Sequence, residues 1–362
     1  MIRTIYLIHR MCRAWTSLDS QQAIIYFKAI NRQPSTHRNI SLCFHISTRN
    51  PQSSILHFQT PHNCPETKME VDLQGLDNLD FPDFMRAIFN ILRATLQYPA
   101  DNTKLTAAKL AEDIKFVCQA EDRSGGIGGV ILFTWMVVIE ISQYVPPNHP
   151  WQDCLVQAVE NLHQQEDAVP GERVCLWKEL PDLSLAMREL WLDLAEGDEE
   201  STKGDFARWK NQNSFAARLT SESYGPWLNF PIWQLRTALE EPPARGPAQE
   251  CRVWVACEWI LRCAEPIYDD MREGGRPDRA RGTGSLCGGD IPDLGLERWE
   301  FWKKRFREIA ADAENLKLES AIVERISDTL KRMDAVEVEG NKVSQRHTDD
   351  AGSEEVHDAS KT

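Results

Sequence analysis

Residues 205–227 read DFARWKNQNSFAARLTSESYGPW. Two Trp, two Phe, a Tyr and two Asn are gathered in one helix-length run and a loop. At a helical period Phe206, Trp209, Asn213 and Ala216 fall on one stripe, and Ala217 is small enough for close helix contact. A polar group on a buried stripe needs an internal partner. Asn213 is therefore expected to offer a carbonyl to the Trp209 indole, or to bridge to a neighbouring helix. Arg218 must find a carboxylate, and Glu240 and Glu258 are the candidates distant in sequence. The stretch reads as a core helix spliced with polar groups rather than as an active site.

The same period runs outward in both directions. Toward the N-terminus, Met85, Ile88, Leu92 and Leu96 share a face, as do Ala107, Leu110, Ile114 and Val117. GGVILFTWMVVIEISQYVPP (128–147) is apolar nearly all round, which predicts a central buried helix. A membrane span is not expected, because the uncharged run from Gly125 to Ile139 falls short of the roughly 20 residues needed and Glu140 follows it. Leu155, Val159 and Leu162 follow in register behind Trp151, and Leu183, Met187, Leu190 and Leu194 repeat the pattern. Toward the C-terminus, Asn229 and Pro231 signal a helix start, and Pro242-Pro243 a stop. CRVWVACEWILRCAEPIYDDM (251–271) is mostly apolar, with a break expected at Pro266. The Gly-rich stretches SGGIGG (124–129) and GTGSLCGG (282–289) read as flexible connectors. Trp299, Trp302, Phe306 and Ile309, then Ile322, Ile326, Leu330 and Met333, close the series. No run of strand-like alternation recurs between turn signals. The expected fold is all-α, a single large domain of about nine to eleven helices over residues 75–336.

The flanks differ from this body. Residues 1–68 hold eight Lys or Arg against only Asp19 and Glu66, with five of the nine His and no sustained period. Two readings stand: an Arg-rich mitochondrial transit segment, or a misassigned start with translation beginning at Met69. Either way the segment is expected to be disordered, as is the acidic tail 339–362. From Met69 onward 33 basic residues face 53 acidic ones, a net of −20. So acidic a body repels phosphate backbones, and nucleic-acid binding is not expected. Seven of the ten Cys lie in this body without a CxxC. Cys251, Cys257 and Cys263 recur every six residues, which at about 100° per residue puts three thiols on three faces, unsuited to one metal. Buried thiols in a reducing compartment, cytoplasmic or nuclear, is the reading, with the mitochondrion as the alternative if residues 1–68 are a transit segment.

The sharpest catalytic hint is YDDMRE, where Asp269, Asp270 and Glu273 form a DDxxE pattern. In an all-α protein this resembles the aspartate-rich motif of terpene and prenyl synthases, where carboxylates one turn apart gather Mg²⁺ around a diphosphate. That chemistry needs a second metal-binding motif further along, and none follows Glu273. GxSxG, HExxH and phosphate-loop signatures are absent, and His149 and His163 have no partner at ligand spacing.

Three motifs follow in fixed order: Trp209, Phe215, Ala217, Arg218 and Leu219; then Arg236, Ala238, Leu239 and Glu240; then Glu297, Arg298, Trp299 and Trp302. Together they resemble the domain-of-unknown-function family 3632, uncharacterised fungal proteins, over most of residues 75–335. The resemblance implies an intracellular, all-helical protein and carries no activity, cofactor or catalytic residue. The expected function is therefore a binding module, for a protein partner or a small ligand, without catalysis and without a cofactor. Trp209, Asn213, Arg218 and Arg236 are its candidate binding residues. The competing reading is a Mg²⁺-dependent enzyme centred on Asp269, Asp270 and Glu273. Convergence of Arg218, Arg236, Asp269 and Asp270 on one cavity would favour a site there.

Overall fold

The computed structural model describes residues 71–354, apart from residues 72, 78–80, 98–101, 123–126, 165–176, 192–202, 222–226, 245 and 275–278. The expectations for residues 1–68 lie outside these. Among the described residues there are twelve α-helices and no strand. In chain order they are α1 (Gln74–Asp77), α2 (Asp83–Gln97), α3 (Thr103–Asp122), α4 (Ile127–Tyr144), α5 (Pro150–His163) and α6 (Leu183–Glu189). The second half comprises α7 (Lys203–Ser221), α8 (Asn229–Leu235), α9 (Pro247–Glu273), α10 (Leu296–Ala311), α11 (Ala313–Leu316) and α12 (Ser320–Glu354). The single-turn α1 and α11 account for the excess over the expected nine to eleven. No described helix is long and apolar enough to cross a membrane.

Two helices organise the packing. The first is α4, buried on every side from Val130 to Gln143 and covered by α2, α3, α6 and α7. Its uniform apolarity leaves no face that water would stabilise, so it becomes the axis of the N-terminal half. The second is α9, which packs on α7, α8, α10 and α12. Between them lies α7, in contact with α4 and α5 on one side and α9 on the other. One apolar cluster, from Leu73 to Val336, runs through both halves. The polar-spliced helix is thus the shared wall between them.

The structure moves one boundary. Pro266 does not end its helix; α9 runs on to Glu273 with a kink at Cys263, whose φ is −124° and ψ 24°. A Pro ring cannot donate to the carbonyl four residues back and crowds it, so the chain bends there and then resumes, held on both sides by packed neighbours. At the other end of the chain α12 runs from Ser320 to Glu354. Extending a helix already nucleated on the core adds one hydrogen bond per residue.

Candidate functional site

Four consecutive polar residues of α7 are fully or nearly fully buried, and each points to a different neighbour. Asn211 Nδ2 donates to the Gln143 carbonyl in the last turn of α4 (2.8 Å), and Gln212 Nε2 donates to the Leu190 carbonyl just beyond α6 (2.9 Å). The last carbonyls of a helix lack intrahelical donors, so these two amides cap α4 and α6 from the side. Gln152 of α5 does the same for α4, donating to the carbonyls of Val145 (2.8 Å) and Ser142 (3.3 Å). Asn213 Oδ1 accepts from the indole of Trp259 on α9 (2.8 Å), while its Nδ2 returns to the Trp209 carbonyl (2.9 Å). Of the two roles expected of Asn213 the structure shows the second: it bridges to Trp259 on the neighbouring helix and does not serve the Trp209 indole. Ser214 Oγ donates to Glu258 (2.7 Å). The quartet is the polar cement of the two halves.

A second buried polar centre joins the last two motifs. The helical path beyond α8 widens to a five-residue π-helix, Arg236–Glu240, which places Glu240 beneath α10. Arg298 Nε and Nη2 bind the two oxygens of Glu240 at 2.7 and 3.0 Å, and neither side chain is exposed. Trp302 Nε1 and the Gly284 amide also donate to this carboxylate, at 2.6 and 2.7 Å. The remaining donors of Arg298 reach the carbonyls of Arg281 (2.6 Å), Asp293 (2.5 Å) and Gly282 (3.3 Å). A buried charge pair is tolerated only when its remaining donors and acceptors are filled, and here they are. The Gly-rich segment around residue 284 is therefore no flexible connector. It is pinned as the backbone partner of an ion pair, and three outer contacts fix it further: Trp233 to the Ala280 carbonyl, Arg236 to the Gly282 carbonyl, and Arg281 to Asn229. Asn229 accordingly caps no helix. The pairing of Arg298 with Glu240 was not legible beforehand; the one signal was an Arg four residues ahead of Trp302, on its stripe.

The DDxxE carboxylates lie on the last turns of α9 and separate. Asp270 takes both oxygens to Arg281 (2.8 and 3.1 Å), Asp269 pairs with Arg272 one turn on (2.7 Å), and Glu273 is exposed. Adjacent residues on a helix point about 100° apart, which is why the two Asp cannot share a ligand without rearrangement. Among the described residues no three His, Cys, Asp or Glu are grouped to hold a metal ion. Arg218 binds Asp153 and the Pro147 carbonyl instead of Glu240 or Glu258. Of the four residues whose convergence would have marked a site, Arg236 and Asp270 meet only through the pinned loop. A small recess on another face is lined by Phe206, Trp209, Gln234, Thr237, Cys251 and Arg252.

Three buried groups carry perturbed chemistry. Burial pushes Glu140 of α4 up to about 7, against the opposing charge of Arg208, and its Oε1 has no hydrogen-bond partner among the described residues. Arg208 is held away from it by Asp205 (2.6 Å) and the Tyr144 hydroxyl (3.4 Å). Burial also raises Glu258, but the charges of Arg262 and Arg325 and the bond from Ser214 outweigh it and hold the carboxyl below its usual value. The six described cysteines are all free and buried, and burial pushes Cys251 and Cys257 up to about 12. Such thiols are poor nucleophiles.

No curated protein and no solved structure matches the chain. Residues 135–306 match the family model described as "Protein of unknown function (DUF3632)", a narrower span than 75–335. Both centres described above, from Gln143 through Asn213 to Glu240 and Arg298, fall within that span, so it is this part of the chain that is similar to the DUF3632 family.

Proposed function

We propose that this protein is a helical binding module that engages a protein partner through the outer face of α3 and performs no covalent chemistry. One observation carries this reading. Leu105 and Phe116 are each 66% exposed and stand eleven residues apart on α3, three turns along one face. Ala108 and Glu112 lie exposed between them. Single exposed apolar residues are ordinary, but two large ones in helical register form a stripe of the kind that partner grooves receive. The strongly acidic body supports a protein rather than a nucleic acid as the partner. Free, buried cysteines support a reducing compartment, cytoplasmic or nuclear. Asp269 and Asp270 of the competing Mg²⁺-dependent reading already face guanidinium groups, which favours binding over catalysis.

A photo-crosslinking residue placed at Phe116, and as a control at the exposed Glu308 of α10, tests the reading in extract of the source cells. The expected result is a discrete adduct from position 116 alone, suppressed by Leu105→Ser, with unchanged thermal melting. An adduct of twice the chain's mass would make the partner a second copy. Identical adducts from both positions, or none from 116, would overturn the proposal.

A further inference from the structure

On a different face, where α7, α9 and α12 meet, lie three guanidinium groups with too few counter-charges. Arg262 gives its Nε to Glu258 (2.5 Å), and Arg325 gives Nη2 to the other oxygen of the same carboxylate. Arg218, close enough to Arg262 for the two charges to repel, pairs with Asp153, whose side chain is 60% exposed, and donates to the Pro147 carbonyl (2.7 Å). Three cations thus share two carboxylates, one of them screened by solvent, in a body that is otherwise strongly acidic. The Nε groups of Arg218 and Arg325 are buried and donate to no acceptor among the described residues. An unmet buried donor is costly, more so on a charged group. Arg262 remains 30% exposed, so the cluster opens to solvent.

We infer that Arg218, Arg262 and Arg325 form a binding site for a phosphate-bearing small ligand. A guanidinium presents parallel donors that match an oxyanion two at a time. A carboxylate satisfies one such fork, whereas a phosphate dianion offers oxygens to two forks at once. Ligand binding would supply the missing counter-charge and relieve the repulsion between Arg218 and Arg262. This site is independent of the α3 face, and either can fail without the other.

Calorimetric titration of the full chain with inorganic phosphate tests it, with sulfate and chloride at matched ionic strength as controls. The expected result is saturable phosphate binding and a raised melting temperature, with affinity at least tenfold weaker in Arg262→Gln and in Arg218→Gln. Arg262→Lys, which keeps the charge but loses the fork, should fall between wild type and Arg262→Gln. Should Arg218→Gln fail to fold, the Arg262 pair decides alone, because Glu258 keeps Arg325 and Ser214. Equal effects of phosphate, sulfate and chloride would mean an adventitious ion only and would overturn the site, as would phosphate affinity unchanged by the Arg262 substitutions.

Discussion

Arg298 meets Glu240 through two parallel hydrogen bonds with neither side chain exposed, and the backbone of residues 281–284 closes over the pair. The loop exists in this shape because the ion pair needs its carbonyls and amide. The pair in turn is affordable only because the loop supplies them. The second and third of the motifs that follow in fixed order are thus two ends of one contact.

Removing one partner leaves the other as an uncompensated buried charge. Glu240→Leu or Arg298→Met should each lower stability by about 3–5 kcal/mol, while the double variant Glu240→Leu with Arg298→Met should cost clearly less than the sum. Urea denaturation of the three proteins completes the cycle; strict additivity would show that the pair is not coupled.

Gly284 has no room for a side chain. A Cβ there would stand 2.7 Å from both the Glu240 side chain and the Glu240 carbonyl, and the carbonyl belongs to a packed π-helix that cannot easily retreat. Gly284→Ala should therefore push the loop off the ion pair, at a cost of about 1–3 kcal/mol. Proteolytic nicking within residues 279–289 should quicken in the variant, and an unchanged digestion rate would contradict the clamp.

Asn213→Ala should leave the Trp259 indole N–H buried without an acceptor, a loss of about 1–3 kcal/mol. A control at the same helix, Lys210→Ala, removes a partly exposed pair and should change stability by well under 1 kcal/mol. Equal effects at the two positions would remove the special role assigned to the polar quartet.

Glu140 makes stability fall with rising pH. Its folded pKa of about 7 lies above the ordinary 4.5, so the folded state holds the proton more tightly than the unfolded one. The penalty is absent below about pH 4.5, grows between 4.5 and 7, and is complete above 7. A displacement of that size corresponds to about 3 kcal/mol. Glu140→Gln should be relatively more stable by about that amount at pH 8 than at pH 4.5, measured as the wild-type-minus-variant difference in unfolding free energy. A pH-independent difference would show that Glu140 ionises freely in the folded protein.

By itself the sequence determined the helices and their inward faces. A 3.6-residue period is a local property, and Met85, Leu110, Leu155, Trp209, Trp302 and Ile326 all sit in the core as their spacing requires. It also determined that the NQNS run of α7 must be satisfied internally, since four polar residues between Trp209 and Phe215 on a helix that also carries Phe206 and Leu219 cannot all reach water. Only the tertiary structure decided which partner each group takes: Asn213 with Trp259, Arg218 with Asp153, Glu240 with Arg298, Asp270 with Arg281. Those contacts join residues 11 to 65 positions apart in the chain. Nothing in a helix's own period fixes which distant carboxylate lies within hydrogen-bond reach of a guanidinium; that distance is set by how neighbouring helices cross and by the loops that join them. The loop at residue 284 shows the limit most clearly, for its glycines suggested freedom, and a buried charge pair 44 residues away in sequence took that freedom away.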